Sequence, residues 1–461
     1  MLSLYETLSR YPENRLALVH GAERWTYGEL DARSNLWARW LYGRGVQPDD
    51  LVAFSRPNGP EFIAIAFGIY KAGATPAPIS GKLPAFERDA ILRVMQPRVY
   101  VEPTDAPDAA GDAMPPFHVA ASWKACTSGG STGTPKVIVD ARCAGFPEGT
   151  DFIGIPDNAP ILVPGPLYHN ASFSAAIFAL WKGCTVCTMD RFEEKVALQL
   201  IDEMRVEWSI MVPTMLHRIW RLPNIVRDSF KLSSWKMVVH TAAPMAPWLK
   251  NAWIDWMGPD HIWEVYGATE GLVRCWIGGR DWLEHPGSVG MPIGGARLKI
   301  LDAQGSELPP GIQGEIYAMP ASGPRSTYHY IGAERRADAN GWESVGDIGH
   351  LDAEGYLYLA DRRTDLIISG GVNIWPAEVE AAILRHPDVV SCAVMGMPDA
   401  DMGQVVHAVI QTTNLNFTLD ALSRFLADYL VRAKHPRSLE LQTNAVRDDA
   451  GKFRKLAQAA N

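Results

Sequence analysis

Cysteine is scarce, a surplus of basic charge is missing, and no apolar run is long enough to cross a bilayer. Six cysteines in 461 residues cannot form a disulfide framework, so a reducing compartment, the cytoplasm, is expected. The one close pair, Cys184 and Cys187, makes a single CxxC inside GCTVCTMDRF. No second pair accompanies it, and the segment after Gly183 reads as a buried strand rather than a zinc or redox site. The formal net charge is −9, from 43 basic and 52 acidic residues, which sets the chain apart from nucleic-acid binders. The excess of negative charge lies in the first 361 residues, whereas 424–455 is locally basic and reads as solvated surface. The best apolar run, FIAIAFGIYKAGA, is interrupted by Lys71, so no membrane span is expected. The opening MLSLYETLSRYPENR has neither the basic start nor the apolar stretch of a signal peptide. Internal repeats and low-complexity tracts are also missing.

What is present is alternation. SNLWARWLYGRG and EFIAIAFGIYKAG read as helices, with DLVAFSRP and ATPAPIS as strands beside them. The pattern recurs at CTVCTMD, VALQLIDEMRVEW and SIMVPTMLHRIW, which predicts an α/β body with parallel sheets. From about 286 the texture changes to short strands, SVGMPI, ARLKILDA, QGEIYAMP and GYLYLADR, divided by Gly, Pro and Asp turns. That predicts a β-rich subdomain. After Asp361 the chain restarts. A helix from Pro376, strands at VVSCAVMGMP and QVVHAVIQT, a helix capped by Thr418 and a strand at SLELQTNAV predict a small α+β domain of its own. The expected division is 1–361 and 362–461.

Residues 127–136 read TSGGSTGTPK. Glycines admit positive φ and let successive N–H groups face one concavity, and the hydroxyls and Lys136 add donors and charge. The stretch suits phosphate, yet it is neither a Walker A loop nor GxGxxG. Four further segments bear on it: PLYHNASF at 166–173, VYGATEG at 265–271, the run from Gly341 to Glu380 holding VGDIG, ADRRTD and SGGVNIWP, and RDDAGKFRK at 447–455.

Together, in this order and with WTYGEL and KAGATPAPI early on, these segments resemble the AMP-forming adenylate enzymes. That superfamily comprises acyl- and aryl-CoA synthetases, the adenylation domains of peptide synthetases and firefly-type luciferases. The resemblance covers essentially the whole chain and implies ATP, Mg2+ and coenzyme A. It implies a reaction in which a carboxylate attacks the α-phosphorus of ATP, releasing pyrophosphate, before the acyl group passes to a thiol. Both reactants are anions, so positive charge, a metal and alignment must be supplied.

By that resemblance Thr127, Ser128, Gly129, Gly130, Ser131, Thr132, Gly133 and Lys136 would cradle the β- and γ-phosphates, in a loop one residue longer than its commonest form. Glu270 would bind magnesium, Thr269 would reach the α-phosphate, and Tyr266, Gly267 and Ala268 would lie along the adenine. Asp347 and Arg362 would hold the ribose. Lys452 would be the mobile catalytic lysine, and Asp365 the hinge about which the small domain turns. Ser369, Gly370 and Gly371 would then line the path of the pantetheine thiol; taken alone, the two glycines read as a hairpin turn. His169, with Tyr168, would gate the acyl site, and the strand and loop from His240 through Thr241, Ala242, Ala243 and Pro244 would touch acyl group and adenine. Phe173, Met215 and Trp276 would line the acid pocket or belong to the core. Members that activate amino acids place an aspartate near LYHN; here Asn170 and Ala171 follow His169, which disfavours amino acids. The pairing of SGGSTG with HTAAP resembles bacterial ligases for bulky cyclic acids, such as bile acids or aromatic polyketide and terpenoid acids. The expected activity is therefore a CoA ligase for a hydrophobic acid. A free-standing enzyme loading a carrier protein and a non-catalytic sensor are the alternatives, and a homodimer is left open.

Overall fold

A computed structural model describes residues 1–107, 113–128, 135–360, 366–370, 372–399, 401–447 and 453, with the backbone alone at Ser128 and Asn373. The N-terminal part is built on two parallel sheets. In the larger, strands Leu16–His20, Thr185–Thr188, Pro160–Val163, Trp208–Met211, Met237–His240 and Ile262–Gly267 run parallel as neighbours in that order. The smaller joins Leu51–Phe54 to Thr75–Pro78 and Val99–Val101. The CxxC lies on the strand Thr185–Thr188 and its flank, and both thiols are buried. Burial pushes the Cys184 thiol up to about 11 and that of Cys187 to about 12, far from the thiolate that metal or redox chemistry requires.

Helix starts follow local chemistry. WTYGEL opens the helix Tyr27–Gly43 with a reciprocal capping box: Glu29 N–H donates to Thr26 Oγ1 at 3.2 Å and Thr26 N–H to Glu29 Oε2 at 2.7 Å. That helix begins earlier than apolar periodicity alone predicts. It crosses the helix Pro60–Lys71, buried except at Glu61, closely, for a β-carbon on Gly68 would lie 2.4 Å from Trp37 Cβ. Lys71, which interrupts the apolar run, is buried and donates to Asp31 Oδ1 at 2.7 Å and Asn35 Oδ1 at 2.6 Å.

The change to antiparallel pairing comes at Arg274–Gly278, earlier than the predicted 286. From there Ser288–Pro292, Leu357–Ala360, Ile348–Leu351, Gly314–Met319 and Arg297–Leu301 continue one sheet antiparallel. A separate three-stranded sheet sets Ala125–Ser128 and Tyr328–Ile331 on either side of Lys136–Asp140.

The C-terminal part has its own core around Ile374, Val379, Ile383, Ala408 and Leu422 and a five-stranded sheet led by the long pair Ser391–Asp399 and Gly403–Gln411. Thr418 caps its second helix, Leu419–Leu426, through Ala421 N–H at 3.2 Å. The segment 361–365, with Arg362 and the expected hinge Asp365, lies outside the described residues. The two parts touch through donors of the larger one. Arg221 donates to the carbonyls of Pro387, at 2.9 Å, and Val389, and Trp248 Nε1 donates to the carbonyl of Ala381 at 3.2 Å. His217 is buried among them, against backbone groups of Leu384 and Val390, and burial holds its imidazole down at about 4.

Candidate active site

The strand Ile262–Gly267 is the last parallel member of the large sheet, and the turn that follows carries Ala268, Thr269 and Glu270. Ligands of open α/β sheets gather at the carboxyl ends of such strands. Glu270 is 6% exposed. Its Oε1 accepts from Tyr330 Oη at 2.6 Å and from Lys136 Nζ at 3.3 Å, and Lys136 also reaches Tyr330 Oη at 3.0 Å. Burial, and then the Glu270 carboxylate, drive the Tyr330 phenol strongly upward, so it stays a donor. Thr327 Oγ1 ties the turn down by donating to the Glu270 carbonyl at 2.7 Å. Among the described residues Oε2 of Glu270 has no hydrogen-bond partner, and no cluster of three or more His, Cys, Asp or Glu side chains is present. A hard cation that keeps several waters and takes one carboxylate plus phosphate oxygens fits that donor set.

On the same strand Tyr266 Oη donates to Asp347 Oδ2 at 2.7 Å. A ring expected along adenine and a carboxylate expected on ribose are thus joined, although 81 residues apart in sequence. Thr241 Oγ1 donates to the Val265 carbonyl at 2.9 Å and fastens the neighbouring loop to this strand. In that loop Ala242 has φ +74°, a left-handed conformation that disfavours a β-carbon and is found where a site fixes the backbone. Ala242 and Pro244 are exposed and Ala243 half-buried, as are Ala268 and Thr269, while Gly267 is exposed. These surfaces are open to a ligand.

The hairpin of Ala125–Ser128 with Lys136–Asp140 aligns Ser128 with Lys136 and Thr127 with Val137. It brings the two ends of the phosphate loop together beside Glu270. Gly129, Gly130, Ser131, Thr132 and Gly133 lie outside the described residues, as do Gly371 and Lys452. Ser369 ends the strand Ile367–Ser369, Gly370 follows it, and the register pairs Ser369 with Val372. Gly370 has φ +56°, and its N–H donates to the Met402 carbonyl at 2.9 Å.

His169 caps the helix Asn170–Trp181, with Tyr168 ring to ring at 4.3 Å. Trp276 is half-buried and stacked on Trp263 at 5.0 Å. Phe173 and Met215, left open between acid pocket and core, lie inside, as does His240, expected to touch the acyl group and adenine. Phe173 is fully buried between Phe62 and Trp123, because the helix that carries it is apolar on every side. Met215 is 3% exposed in the core. His240 is fully buried beside Glu264, whose Oε2 accepts from the buried Lys250 at 2.5 Å. Burial, and then the Lys250 charge, hold His240 neutral, well below the usual imidazole range. Sequence reasoning missed Tyr330 and Thr327: STYHYIG carries no nucleotide fingerprint, and only strand pairing sets Ile331 opposite Val137.

Comparison with known proteins agrees with this geometry. The model of the AMP-binding enzyme family matches residues 4–122 and 124–325, and that of the AMP-binding enzyme C-terminal domain matches 378–452. A feruloyl-CoA synthase from Amycolatopsis sp is 30% identical, aligned over 97% of this chain and 96% of the relative. The fatty acid–[acyl-carrier-protein] ligase ScoC of Streptomyces coeruleorubidus is 28% identical over 93% of this chain and 90% of its own. Among solved structures, the o-succinylbenzoate CoA synthetase of Bacillus subtilis in complex with its acyl-adenylate superposes with a TM-score of 0.81 at 24% identity. That match covers 98% of this chain and 97% of the other.

Proposed function

The chain belongs to the AMP-binding enzyme family, and on that premise we propose that its substrate is a carboxylic acid with an apolar body, aromatic, polycyclic or fatty. The enzyme is an AMP-forming acid–thiol ligase that uses ATP, Mg2+ and coenzyme A. In the first half-reaction a carboxylate oxygen bonds to the α-phosphorus and the pyrophosphate oxygen leaves. In the second the thiol sulfur bonds to the acyl carbon and AMP leaves. The observation that carries the reading of the site is the convergence of Lys136, Glu270 and Tyr330 with the Tyr266–Asp347 pair on one strand and its turn.

In this reading Thr127 to Gly133 and Lys136 hold the phosphates. Glu270 offers its unpartnered oxygen to magnesium, which neutralises phosphate charge when bound. Thr269 reaches the α-phosphate, Asp347 and Arg362 take the ribose hydroxyls, and Ala242, Ala243 and Pro244 border the adenine. Lys452 bridges the acid and the α-phosphate, a role suited to a flexible point charge. Rotation about Asp365 then withdraws it and turns Ser369, Gly370 and Gly371 toward the thiol. Six free cysteines suit a reducing cytoplasm. ScoC, a ligase for an acyl-carrier protein by its name, supports a second reading in which the acceptor is a carrier's pantetheine.

Acid-dependent pyrophosphate release with hydroxylamine trapping tests the first half-reaction across aromatic, fatty, bile-type and terpenoid acids. No release with any acid would leave the sensor alternative standing. Thiol consumption with coenzyme A against a holo carrier protein then decides the acceptor. Lys452→Ala is expected to cripple adenylate formation while sparing thioester formation from a supplied acyl-adenylate; equal loss of both steps would remove the division of labour.

A further inference from the structure

Beside the site is a concentration of positive charge that the nucleotide residues do not use. A cavity of about 290 Å³ is walled by Phe146, Phe152 and Phe178, with Arg142, Asp151 and Arg274 as its charged lining. Two features connect it to the adenylation site. Arg274 pairs with Gly267 across antiparallel strands, and a β-carbon on Gly267 would lie 3.5 Å from Arg274 Cγ. The arginine stem therefore shares a face with the start of the YGATE turn. Asn170, Ser174 and Phe178 recur every fourth residue along the helix that His169 caps, so they share one face. That face leads from His169 to the cavity.

Lys124 packs on this face. It is 4% exposed, donates to Asn170 Oδ1 and to Ser174 Oγ at 3.2 Å, and lies 4.5 Å over the Trp123 ring. Both acceptors are neutral. The one buried carboxylate nearby, Asp140, is engaged by Arg142 through contacts of 2.9 and 2.7 Å. Asp151 is exposed, and the Arg274 guanidinium lies over Phe152 at 5.5 Å. Among the described residues no carboxylate is within ion-pairing distance of Lys124 or Arg274. Burial is the largest cause lowering the affinity of both cations for their protons; neighbouring arginines add to it, and Asp140, with Asp151 at Arg274, offsets part of it from a distance. Lys124 is buried and Arg274 half-buried, and neither has a carboxylate in contact, so an anion that arrives to meet them is favoured.

We propose that the acid substrate carries a second carboxylate, remote from the one that is adenylated, and that Arg274 receives it while Lys124 supports the positive potential behind. The aromatic walls take the apolar body between the two acid groups. This rests on the ligase reading and narrows it. Arg274 is a specificity residue, for its task is to choose the acid and not to act on the α-phosphorus.

The test uses the full chain and acid-dependent pyrophosphate release with matched pairs that differ only at the distal end: suberate against octanoate, and phenylenediacetate against ethylphenylacetate. The diacid of a pair is expected to exceed its monoacid in kcat/KM by at least roughly tenfold. Arg274→Leu is expected to abolish the preference, chiefly through the diacid KM, while monoacid turnover persists. Arg274→Lys is expected to keep part of it. Should Arg274→Leu melt early, the wild-type preference and the Arg274→Lys variant decide the matter. Equal or better use of the monoacids by the wild type, or an unchanged preference in Arg274→Leu, overturns the proposal and leaves the ligase standing. Monoacid turnover that rises on adding inorganic phosphate, with no diacid preference, gives the cavity to a free anion and also overturns it. No pyrophosphate with any acid overturns the ligase reading, and this proposal with it.

Discussion

Two carboxylate–lysine pairs stand six residues apart on one strand and its turn, and they do opposite work. Glu264, inside the strand, meets Lys250 at 2.5 Å, with the lysine fully buried and His240 fully buried beside it. Glu270, on the turn, meets Lys136 at 3.3 Å, and that lysine keeps 30% of its side chain in contact with solvent. The first pair is short and sealed; the second is longer, shared with a phenol and open on one side. A sealed pair stabilises only while both members are present. An open pair exchanges partners cheaply, as a site must when a polyphosphate enters.

The largest effect is expected where the sealed pair is cut. Glu264→Gln leaves the Lys250 ammonium buried without its carboxylate and should cost roughly 3–5 kcal/mol, read as a lower urea midpoint. The KM for ATP of the folded fraction should stay near wild type, and a raised KM would erase the contrast between the pairs. Glu270→Gln should do the reverse. Adenylate formation is expected to fall by roughly 10²–10³, with the thermal midpoint almost unmoved; an intact rate would remove Glu270 from the site.

Acid sharpens the contrast further. His240 and His217 both have native pKa values depressed by burial. Between about 6.5 and the native value the unfolded chain binds more protons, so stability is lost as pH falls through that window. For His217, held down at about 4, the loss should approach roughly 3 kcal/mol by pH 4. Urea midpoints at descending pH should show it, and His217→Asn should flatten the slope. The smallest effect belongs to Tyr330→Phe. It removes one hydrogen bond to Glu270 and should cost about 1 kcal/mol, seen as a KM for Mg-ATP raised severalfold with kcat little changed.

The sequence carried one side of this contrast more legibly than the other. Glu270, Lys136, Tyr266 and Asp347 stand in short runs whose residue types announce their chemistry, and the structure brings Lys136 to Glu270 and Tyr266 to Asp347. Tyr330 and Arg274 were hidden because their positions depend on strand pairings, Ile331 with Val137 and Arg274 with Gly267, which no local pattern encodes. Lys124 did leave a trace, a charge between Trp123 and the strand Ala125–Ser128. Phe173 stayed open between pocket wall and core because Asn170–Trp181 is almost wholly buried, so periodicity could not separate the two. The large α/β body and the small C-terminal part were readable in outline. The change to antiparallel strands fell earlier than turn residues suggested, since Arg274–Gly278 returns against its predecessor before the first Pro-Gly punctuation.

The contacts of Arg221 and Trp248 with the C-terminal part end on main-chain oxygens of Ala381, Pro387 and Val389. Every residue type offers the same oxygen, so these three bonds are indifferent to the side chains presented there, unlike the contact of the Arg385 guanidinium, which lies 5.6 Å over the Trp248 ring. Away from Arg385 and Ala381, the small lobe can therefore change its outer lettering and keep these three bonds to its larger companion.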